Sequence, residues 1–558
     1  MISRVFFTSV FCAISFSAVI SSNRPELNLN VVNPGSRYPP TKGEVWPKPQ
    51  FERKKNTYYL FKPSQFHIRA VTNTCDILKK AIERYSFTLR TYFNIARWTK
   101  EIKSRENTKS SKVHHSTVDT RGTIQGLDIY LTSPCEDYPY LGMDESYDLT
   151  VNQTSSLTSN SIWGILRGLE TFSHLFYLTD DSTEVRINRT VILDYPRYHH
   201  RGLLLDTSRH FISLNNIKKT LNAMSMNKMN VFHWHIVDDE SFPYQSERYP
   251  EISARGAFHP LMVYSKANIQ TVIEYATERG IRVVPEFDVP GHTRSWGESY
   301  PSILTKCYRD DKVVGLGPMD PTNNDTYTLL RNLIAEIQEW FPDKYFHVGG
   351  DEVDLNCWSS NPDLIKYMED HNIDKNQLHG LFMEKVIPLL KVDSTAIVWQ
   401  EVFDEGVPLN KDVLVQVWKN YPEQKMAKVL KAGHKVLFSS SWYLDHITDG
   451  WKDYYQHDPR TMLASSVDEG LKQNVIGGEA CMWGEMVDDS NVISRVWPRA
   501  SAVAERLWSP ITLTDSQQQD ALNDAVHRLE EHACRMNRRG VAAQPPNGPG
   551  KCVTLNNL

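Results

Sequence analysis

An adjacent pair of carboxylic acids, Asp351 and Glu352, follows two glycines at the end of the apolar run 345-YFHVGGDE. Glycine lets backbone and substrate approach closely, and a carboxyl group can donate or accept a proton while a bond is broken. The pattern therefore predicts an acid–base site at this point of the chain.

Further polar and aromatic residues stand at the ends of similar apolar runs. Carboxylates bind hydroxyl groups, and aromatic rings cover the apolar C–H face of a pyranose. A single tryptophan is more often core packing, but several beside acids favour a sugar-binding pocket. These residues are Asp206, Arg209, Asp238, Glu286, Asp288, Trp399, Glu401, Trp418, Tyr443, Asp445, Trp483 and Glu485.

Eight apolar runs alternate with helical patterns from Arg201 onward. This alternation predicts an α/β fold with a C-terminal (β/α)8 TIM barrel, whose active site lies at the C-terminal ends of its strands. An open doubly wound sheet is the alternative, but the chain has no Gly-rich phosphate loop to support it. The runs are 201-RGLLLD, 230-NVFHWHIVD, 281-IRVVPEFD, 345-YFHVGGDE, 396-AIVWQEVF, 413-VLVQVWK, 435-KVLFSSSWYLD and 475-VIGGEACMWGE.

Residues 23–195 combine strand and helix patterns, which predicts a small α/β (α+β) domain before the barrel. Strand patterns occur in 64-SQFHIRAV and 126-GLDIYL, and helical patterns occur near 75–92 and 160–178.

The Tyr195–Pro196 step marks the expected domain boundary, because the residue before proline is pushed away from helical backbone. The catalytic barrel is then expected to span 196–558. Within the smaller domain, Thr99 to Arg121 is polar and lacks apolar periodicity, so we predict a surface loop near 99–121.

Residues 1–22 read as a cleaved signal peptide, with one early charge at Arg4 and an apolar stretch that several serines and threonines interrupt. A membrane anchor is the alternative interpretation. Three N-x-S/T sequons, at Asn152, Asn188 and Asn324, are candidate glycosylation sites. These features predict a protein of the secretory pathway, lysosomal or extracellular.

The charges and cysteines narrow the function classes further. The 62 Lys+Arg and 67 Asp+Glu residues give a net charge of −5 with no basic tract, so nucleic acid is not an expected partner. Of eight cysteines, Cys12 leaves with the signal peptide, and seven suggest three disulfides and one free thiol. No C-x-x-C pair supports zinc. Sequence-near pairs would be Cys75 with Cys135, Cys307 with Cys357 and Cys534 with Cys552, leaving Cys481.

Several strings, taken in order, resemble the β-N-acetylhexosaminidases of glycoside hydrolase family 20, especially the animal lysosomal β-hexosaminidase subunits. The resemblance runs from about residue 40 to the C-terminus, and this family also has a small α/β domain before its barrel. The strings are 203-LLLDTSRH, 231-VFHWHIVDDESFPYQS, 284-VPEFDVPGHT, 347-HVGGDEVDLNCW, 398-VWQEVF, 439-SSSWYLD, 477-GGEACMWGE and 497-WPRASAVAERLW.

The resemblance implies exo-hydrolysis of terminal non-reducing β-linked GlcNAc or GalNAc, with Glu352 as general acid and base. Asp351 would bond the acetamide N–H of the substrate, whose own acetamido carbonyl is the nucleophile and forms an oxazolinium ion. Two acids at one strand end reach the sugar from one side, which is compatible with this retaining mechanism. Asp238, Glu286 and Glu485 stay open as sources of an opposing carboxylate.

The resemblance also implies roles for the residues around the acid pair. His292, with Asp238 or Asp288, would orient Glu352. Asp445 followed by His446 implies a preference for neutral over sulfated sugars. The implied substrate contacts are Arg209 and Glu485 for sugar hydroxyls, Asp445 for the 6-hydroxyl side, Tyr443 for the acetamide oxygen, and Trp399, Trp418 and Trp483 for the pocket walls.

Two other function classes fit parts of the sequence. A metal-dependent hydrolase would use 233-HWH with His292, His347 and Asp351, but H-x-H alone is a weak signal, and we expect no metal and no cofactor. A lectin-like receptor would keep the sugar contacts without turnover, and the intact acid pair argues against it. The resemblance implies a homodimer with no membrane anchor and a carbohydrate substrate: glycoprotein glycans, glycolipids or chitooligosaccharides.

Overall fold

A computed structural model describes residues 42–105, 119–464, 466–510, 514–548, 550 and 552–555. The predicted signal peptide and Cys12 lie outside these residues. None of the described helices combines the length and the apolar character that a transmembrane span requires.

The first part of the chain forms a mixed sheet of eight strands, in the order β2-β4-β6-β5-β8-β1-β3 with β7 paired to β8. Two helices, α1 (Asp76–Arg105) and α2 (Ile162–His174), pack against the apolar residues of this sheet. The strands are β1 (Phe51–Leu60), β2 (His67–Ala70), β3 (Thr120–Thr123), β4 (Gly126–Leu131), β5 (Tyr147–Thr150), β6 (Thr154–Ser159), β7 (Phe176–Leu178) and β8 (Val185–Asp194).

The loop predicted near 99–121 is wrong at both ends. Helix α1 continues to Arg105, and Thr120–Thr123 forms strand β3 beside β1; residues 106–118 lie outside the described residues. The last buried residue of α1 is Ala96, so apolar periodicity ends before the helix does. Good helix formers and the ion pair between Arg97 and Glu101, one turn apart, continue it.

The second part of the chain confirms the predicted barrel. All eight apolar runs become parallel strands of one closed barrel, in the order β10-β11-β14-β15-β16-β17-β18-β9, while β12 and β13 form a separate hairpin. The strands are β9 (His200–Asp206), β10 (Val231–Val237), β11 (Arg282–Phe287), β12 (Leu304–Arg309), β13 (Lys312–Met319), β14 (Tyr345–His347), β15 (Thr395–Trp399), β16 (Leu414–Val417), β17 (Lys435–Phe438) and β18 (Val475–Met482).

Helices cover the outside of the barrel and close the chain. They are α3 (Leu214–Met226), α4 (Pro250–Gly256), α5 (Lys266–Thr277), α6 (Arg294–Gly297), α7 (Asn324–Trp340), α8 (Leu355–Ser360), α9 (Pro362–His371), α10 (Lys375–Val386), α11 (Gln400–Asp404), α12 (Pro422–Lys431), α13 (Trp451–Tyr455), α14 (Pro459–Met462), α15 (Glu469–Lys472), α16 (Val492–Val496), α17 (Arg499–Trp508) and α18 (Asp515–Arg538).

The barrel interior is layered along its axis. An apolar cluster near the N-terminal ends of the strands consists of Val231, Val284, Ile397, Leu414, Leu437 and Ile476. Alternate residues of a strand share a face, so the next interior positions lie two residues further along. On three strands these positions are polar: His233, Glu286 and Gln416, all buried. A polar layer therefore separates the apolar end from the barrel mouth.

Three disulfides join Cys75 to Cys135, Cys307 to Cys357 and Cys534 to Cys552, and Cys481 is free and buried in β18. These are the three pairings that nearness in the sequence suggested.

One predicted glycosylation site needs correction. Asn188 lies in the middle of β8, is 3% exposed and accepts a hydrogen bond from Tyr177. A glycan on its side chain has no room in the folded sheet. Asn324, at the exposed start of α7, and the partly exposed Asn152 stay candidates.

Candidate active site

A cavity of about 410 Å³ opens at the C-terminal ends of the barrel strands. This volume is within the range of sites that bind small molecules. Side chains at or after the ends of seven barrel strands converge on it, as the barrel topology requires. Eleven predicted site residues line it: Arg209, Asp238, Asp288, His292, Asp351, Glu352, Trp418, Tyr443, Asp445, Trp483 and Glu485.

The acid pair sits on a sharply bent loop after β14. Gly349, Gly350 and Glu352 all have positive φ angles, of +67°, +98° and +49°. A Cβ at Gly349 would lie 1.7 Å from Asp288 Oδ1, so glycine is required there for packing against a neighbouring strand end. The bend leaves the Glu352 side chain 59% exposed at the cavity, while Asp351 is buried.

His292 connects the acid pair to a second carboxylate. Its Nδ1 lies 3.0 Å from Asp238 Oδ1, and its Nε2 lies 3.7 Å from Asp351 Oδ2 and 3.8 Å from Glu352 Oε2. Burial opposes the charged ring, but Asp351 and Asp238 outweigh it and raise the pKa of His292 to about 9. His292 is therefore a cation beside the acid pair at neutral and acidic pH.

Asp288 lies beneath Asp351. Burial and the nearby charge of Asp351 raise the pKa of Asp288 well above its ordinary value. Its Oδ1 accepts the Gly350 N–H at 2.8 Å, which holds the bent loop. Because Asp288 is neutral, the negative charge of these two neighbouring aspartates lies on Asp351.

Three buried polar atoms at the cavity have no hydrogen-bond partner among the described residues: Asp351 Oδ1, His292 Nε2 and Asp445 Oδ1. Buried polar atoms without partners are rare because each costs free energy. Their concentration at one cavity is typical of a site that completes its hydrogen bonds with a bound ligand.

Arg209 is held in place by three acids. Its Nη1 lies 2.9 Å from Asp206 Oδ2, its Nη2 lies 2.9 Å from Asp238 Oδ2, and its Nε donates to Glu240 Oε2 at 3.2 Å. The Glu485 carboxylate is 4.0 Å from Nη1. Arg209 thus presents a rigid cation on the side of the cavity where Glu485 lies.

Aromatic rings form one wall. Trp418 and Tyr443 stack with ring centroids 6.1 Å apart, and Trp483 lies 6.4 Å from Tyr443. The assignment of Trp399 to this wall is corrected: Trp399 is 1% exposed, and its indole N–H donates to Glu286 at 2.7 Å. It supports Trp418 and Trp483 from below.

Two further residues at the site, Met486 and Glu240, were not among the predicted ones. Met486 lines the cavity and is exposed, but a lone methionine after an acid carries no pattern that would select it. Glu240, which holds Arg209, stood inside the motif 231-VFHWHIVDDESFPYQS and could have been selected from it.

Asp238, Glu286 and Glu485 were the possible nucleophilic carboxylates, and the first two are already held by other side chains. Glu286 is fully buried and bound by His235 and by the Trp399 indole. Asp238 is buried between Arg209, His235 and His292. A nucleophilic carboxylate must reach the anomeric carbon, and neither group is free to do so.

Comparison with known proteins gives the family. The model of the glycosyl hydrolase family 20 catalytic domain matches residues 198–511, and a model described as beta-acetyl hexosaminidase like matches residues 45–175. Human β-hexosaminidase subunit beta is 42% identical over 519 residues, covering 90% of this chain and 88% of the relative. Bovine β-hexosaminidase subunit alpha is 41% identical, covering 90% and 93%.

Among solved structures, Flavobacterium johnsoniae chitobiase superposes with a TM-score of 0.74 at 28% identity, covering 90% of this chain and 74% of that chain. The sequence match, the two-part fold and the acid pair at the barrel mouth agree. This chain belongs to glycosyl hydrolase family 20.

Proposed function

We propose that this chain is a β-N-acetylhexosaminidase that removes terminal non-reducing β-linked GlcNAc or GalNAc. The observation that carries the proposal is the acid pair, with Glu352 exposed at the cavity and Asp351 buried beside it. The human and bovine relatives are β-hexosaminidase subunits, which supports the same activity.

In the first step, Glu352 donates its proton to the glycosidic oxygen while the substrate's acetamido oxygen attacks the anomeric carbon. The bond to the leaving alcohol breaks as the oxygen–carbon bond of a bicyclic oxazolinium ion forms. Asp351 accepts a hydrogen bond from the acetamide N–H, and its negative charge stabilises the cation.

In the second step, the Glu352 carboxylate removes a proton from water as the water oxygen attacks the anomeric carbon. The oxazolinium ring opens, and the sugar leaves with its original configuration. His292 carries a positive charge 3.8 Å from Glu352, so it stabilises the glutamate anion that exists between the two steps.

The proposed substrate contacts follow from the cavity lining. Arg209 and Glu485 bind ring hydroxyls, Asp445 binds the 6-hydroxyl, and Tyr443 bonds the acetamide oxygen. The faces of Trp418 and Trp483 cover the apolar side of the sugar. The unpartnered Oδ1 of Asp445 supports its role.

We also propose a homodimer without a membrane anchor, made in the secretory pathway and delivered to lysosomes or secreted. Three disulfides fit an oxidising compartment. The proposed domain division, residues 23–195 and 196–558, is supported by the gap between the end of β8 at Asp194 and the start of β9 at His200.

A thiazoline analogue of the bicyclic intermediate tests the mechanism. We expect competitive inhibition with a Ki at least about 10²-fold below that for free GlcNAc, because analogues of high-energy states bind tighter than ground states. Asp351→Asn should remove most of this difference, since the amide no longer compensates the cation. Inhibition constants for both proteins measure it.

The matching substrate control is a β-glucoside with a hydroxyl in place of the acetamido group. It should not be hydrolysed, because it lacks the nucleophile. Efficient turnover of this glucoside, or weak inhibition by the thiazoline, would point to Glu485 as an enzyme nucleophile and contradict substrate assistance.

Sulfated substrates test the role of Asp445. At neutral pH we expect kcat/KM for a 6-sulfated N-acetylglucosaminide to be about tenfold or more below that for the unsulfated one, because the carboxylate repels the sulfate. Burial raises the pKa of Asp445, so protonation of this carboxyl group should narrow the ratio at acidic pH. Asp445→Asn is the paired variant and should narrow it at neutral pH. Equal values for the two substrates in the unmodified enzyme would refute this role.

A further inference from the structure

The polar layer of the barrel contains histidines and carboxylates that alternate in one continuous column. Each contact joins a ring nitrogen to a carboxylate oxygen at 2.6 to 3.0 Å. Every member except the last has a side chain at most 1% exposed. From the barrel base to the mouth, the members are His200, Glu479, His233, Glu286, His235, Asp238 and His292.

His235 is bonded to a carboxylate at both ring nitrogens. Its Nδ1 lies 2.7 Å from Glu286 Oε2, and its Nε2 lies 2.7 Å from Asp238 Oδ2. A neutral imidazole has one N–H and one lone pair, so one contact would set two lone pairs against each other. Burial opposes the charges of Glu286 and Asp238, but the neighbouring histidines lower the pKa values of both acids, so both are ionised and only accept hydrogen bonds. Both contacts are then attractive only if both ring nitrogens carry hydrogen. His235 is therefore an imidazolium ion.

His233, one step deeper, also lies between two carboxylates. Its Nδ1 is hydrogen-bonded to Glu479 Oε2 at 2.8 Å, and its Nε2 makes an ion pair with Glu286 Oε2 at 3.0 Å. Burial opposes the charge, but the two glutamates outweigh it and raise the pKa of His233 to about 9.

The sequence makes room for this column and balances its charge. A Cβ at position 202 would lie 2.4 Å from Glu479 Cγ, so Gly202 is needed for Glu479 to fit inside the barrel. The three carboxylates of the column, Glu479, Glu286 and Asp238, face the three cationic histidines His233, His235 and His292. The buried charges thus compensate each other, which buried ions require.

Resting on the function proposed for Glu352, we propose that His233 and His235 are positioning residues that stay protonated at neutral and acidic pH. Their charges hold Asp238, which orients His292 beside the general acid. The column sets both the geometry and the electrostatic potential at the barrel mouth, and its members below His292 take no part in the proton transfer itself.

The charged groups that face His292 decide the direction of the effect. Because most of them are acids, removing a cation of the column leaves a more negative potential at Glu352, which raises its proton affinity. These charged groups are Asp238, Asp351, Glu352 and Arg209. Asp288 also faces His292, but its raised pKa keeps it neutral.

His235→Gln is the first test. Glu352 must be protonated to act as an acid, so we expect the alkaline limb of the kcat/KM profile to move up by about one pH unit. His233→Gln should give a smaller shift in the same direction, because Coulomb interactions weaken with distance. The matched control is His174→Gln, which changes an equally buried histidine 2.6 Å from Glu170 in the first domain and should leave the limb in place.

An unmoved alkaline limb of the kcat/KM profile in His235→Gln, or an equal shift in His174→Gln, would overturn the proposal.

The pH dependence of protein stability gives a second readout with a definite sign. A histidine whose pKa is raised on folding stabilises fully below its unfolded value of 6.5 and loses this as pH rises through about 9. The urea midpoint of the unmodified protein should therefore fall more steeply over this window than that of His233→Gln.

Neutron diffraction from the unmodified enzyme tests the charge state directly and does not depend on activity or on a variant that folds. Deuterium is expected on both ring nitrogens of His233 and His235 at neutral pD. A bare ring nitrogen, or a metal ion detected by elemental analysis and seen at His233, Glu286 and His347, would overturn the proposal. Either result would leave the assigned activity untouched, so the two failures are distinguishable.

Discussion

Glu352→Gln is expected to lower kcat on a β-linked N-acetylglucosamine disaccharide by about 10² to 10⁴, with little change in KM. Glutamine keeps the size of the side chain at the cavity but has no proton to give to the leaving oxygen. An aryl substrate with an acidic phenol should lose much less, because that group leaves without protonation. Steady-state kinetics on both substrates measure the difference.

The control for Glu352→Gln is Glu298→Gln, which removes an exposed carboxylate from the same barrel and should not change kcat on either substrate.

Glu352→Gln also separates catalysis from sugar binding. Retained sugar affinity with lost turnover excludes a lectin-like role for the native chain. If Glu352→Gln kept more than about a tenth of kcat on the disaccharide, another group would have to be the acid.

The barrel was predictable because its signal is repeated. Each strand needs a short apolar run to fill the closed interior, and eight such runs in succession leave few other architectures. The site followed from the same logic, since the ends of parallel strands meet at one face. Asp351, Trp418 and Glu485 lie far apart in the sequence, yet all three line the cavity.

The depth of each residue at that face was not predictable. Trp399 and Trp418 both end apolar runs, but only Trp418 reaches the cavity, because Trp399 lies lower and bonds to Glu286. Asn188 carries a valid sequon, although strand pairing buries its side chain. Burial of this kind is decided by tertiary packing, which a local pattern does not contain.

The positive φ of Glu352 had no local signal either. Left-handed backbone at a non-glycine residue is uncommon, and nothing in the acid pair itself requires it. It follows from contacts made by the rest of the loop, where Gly350 donates to Asp288 and Gly349 makes room for it.

The contact between the first domain and the barrel depends on buried ions. Glu145, just before β5, accepts hydrogen bonds from Arg167 on α2 at 2.8 Å, from Arg201 on β9, and from Asn230 before β10 at 3.1 Å. Both arginine side chains and the glutamate are at most 1% exposed. Burial opposes the carboxylate charge, but Arg201 and Arg167 lower the pKa of Glu145 below its ordinary value. Its stabilising effect therefore persists at mildly acidic pH and is lost only as pH falls through that lowered pKa.

Glu145→Ala should lower the free energy of unfolding by about 3 to 5 kcal/mol, because it leaves two buried guanidinium groups facing each other without a counter-charge. Urea unfolding followed by tryptophan fluorescence measures the loss. Glu184→Ala removes the partly exposed partner of Arg186 in the same domain and should cost about 0 to 1 kcal/mol. A similar small cost for Glu145→Ala would mean that the interface does not depend on Glu145 and that its other contacts, such as the buried Lys228–Asp194 ion pair, suffice. The expected large cost would mean that the barrel needs the first domain to neutralise Arg201, which its own first strand carries into the interface.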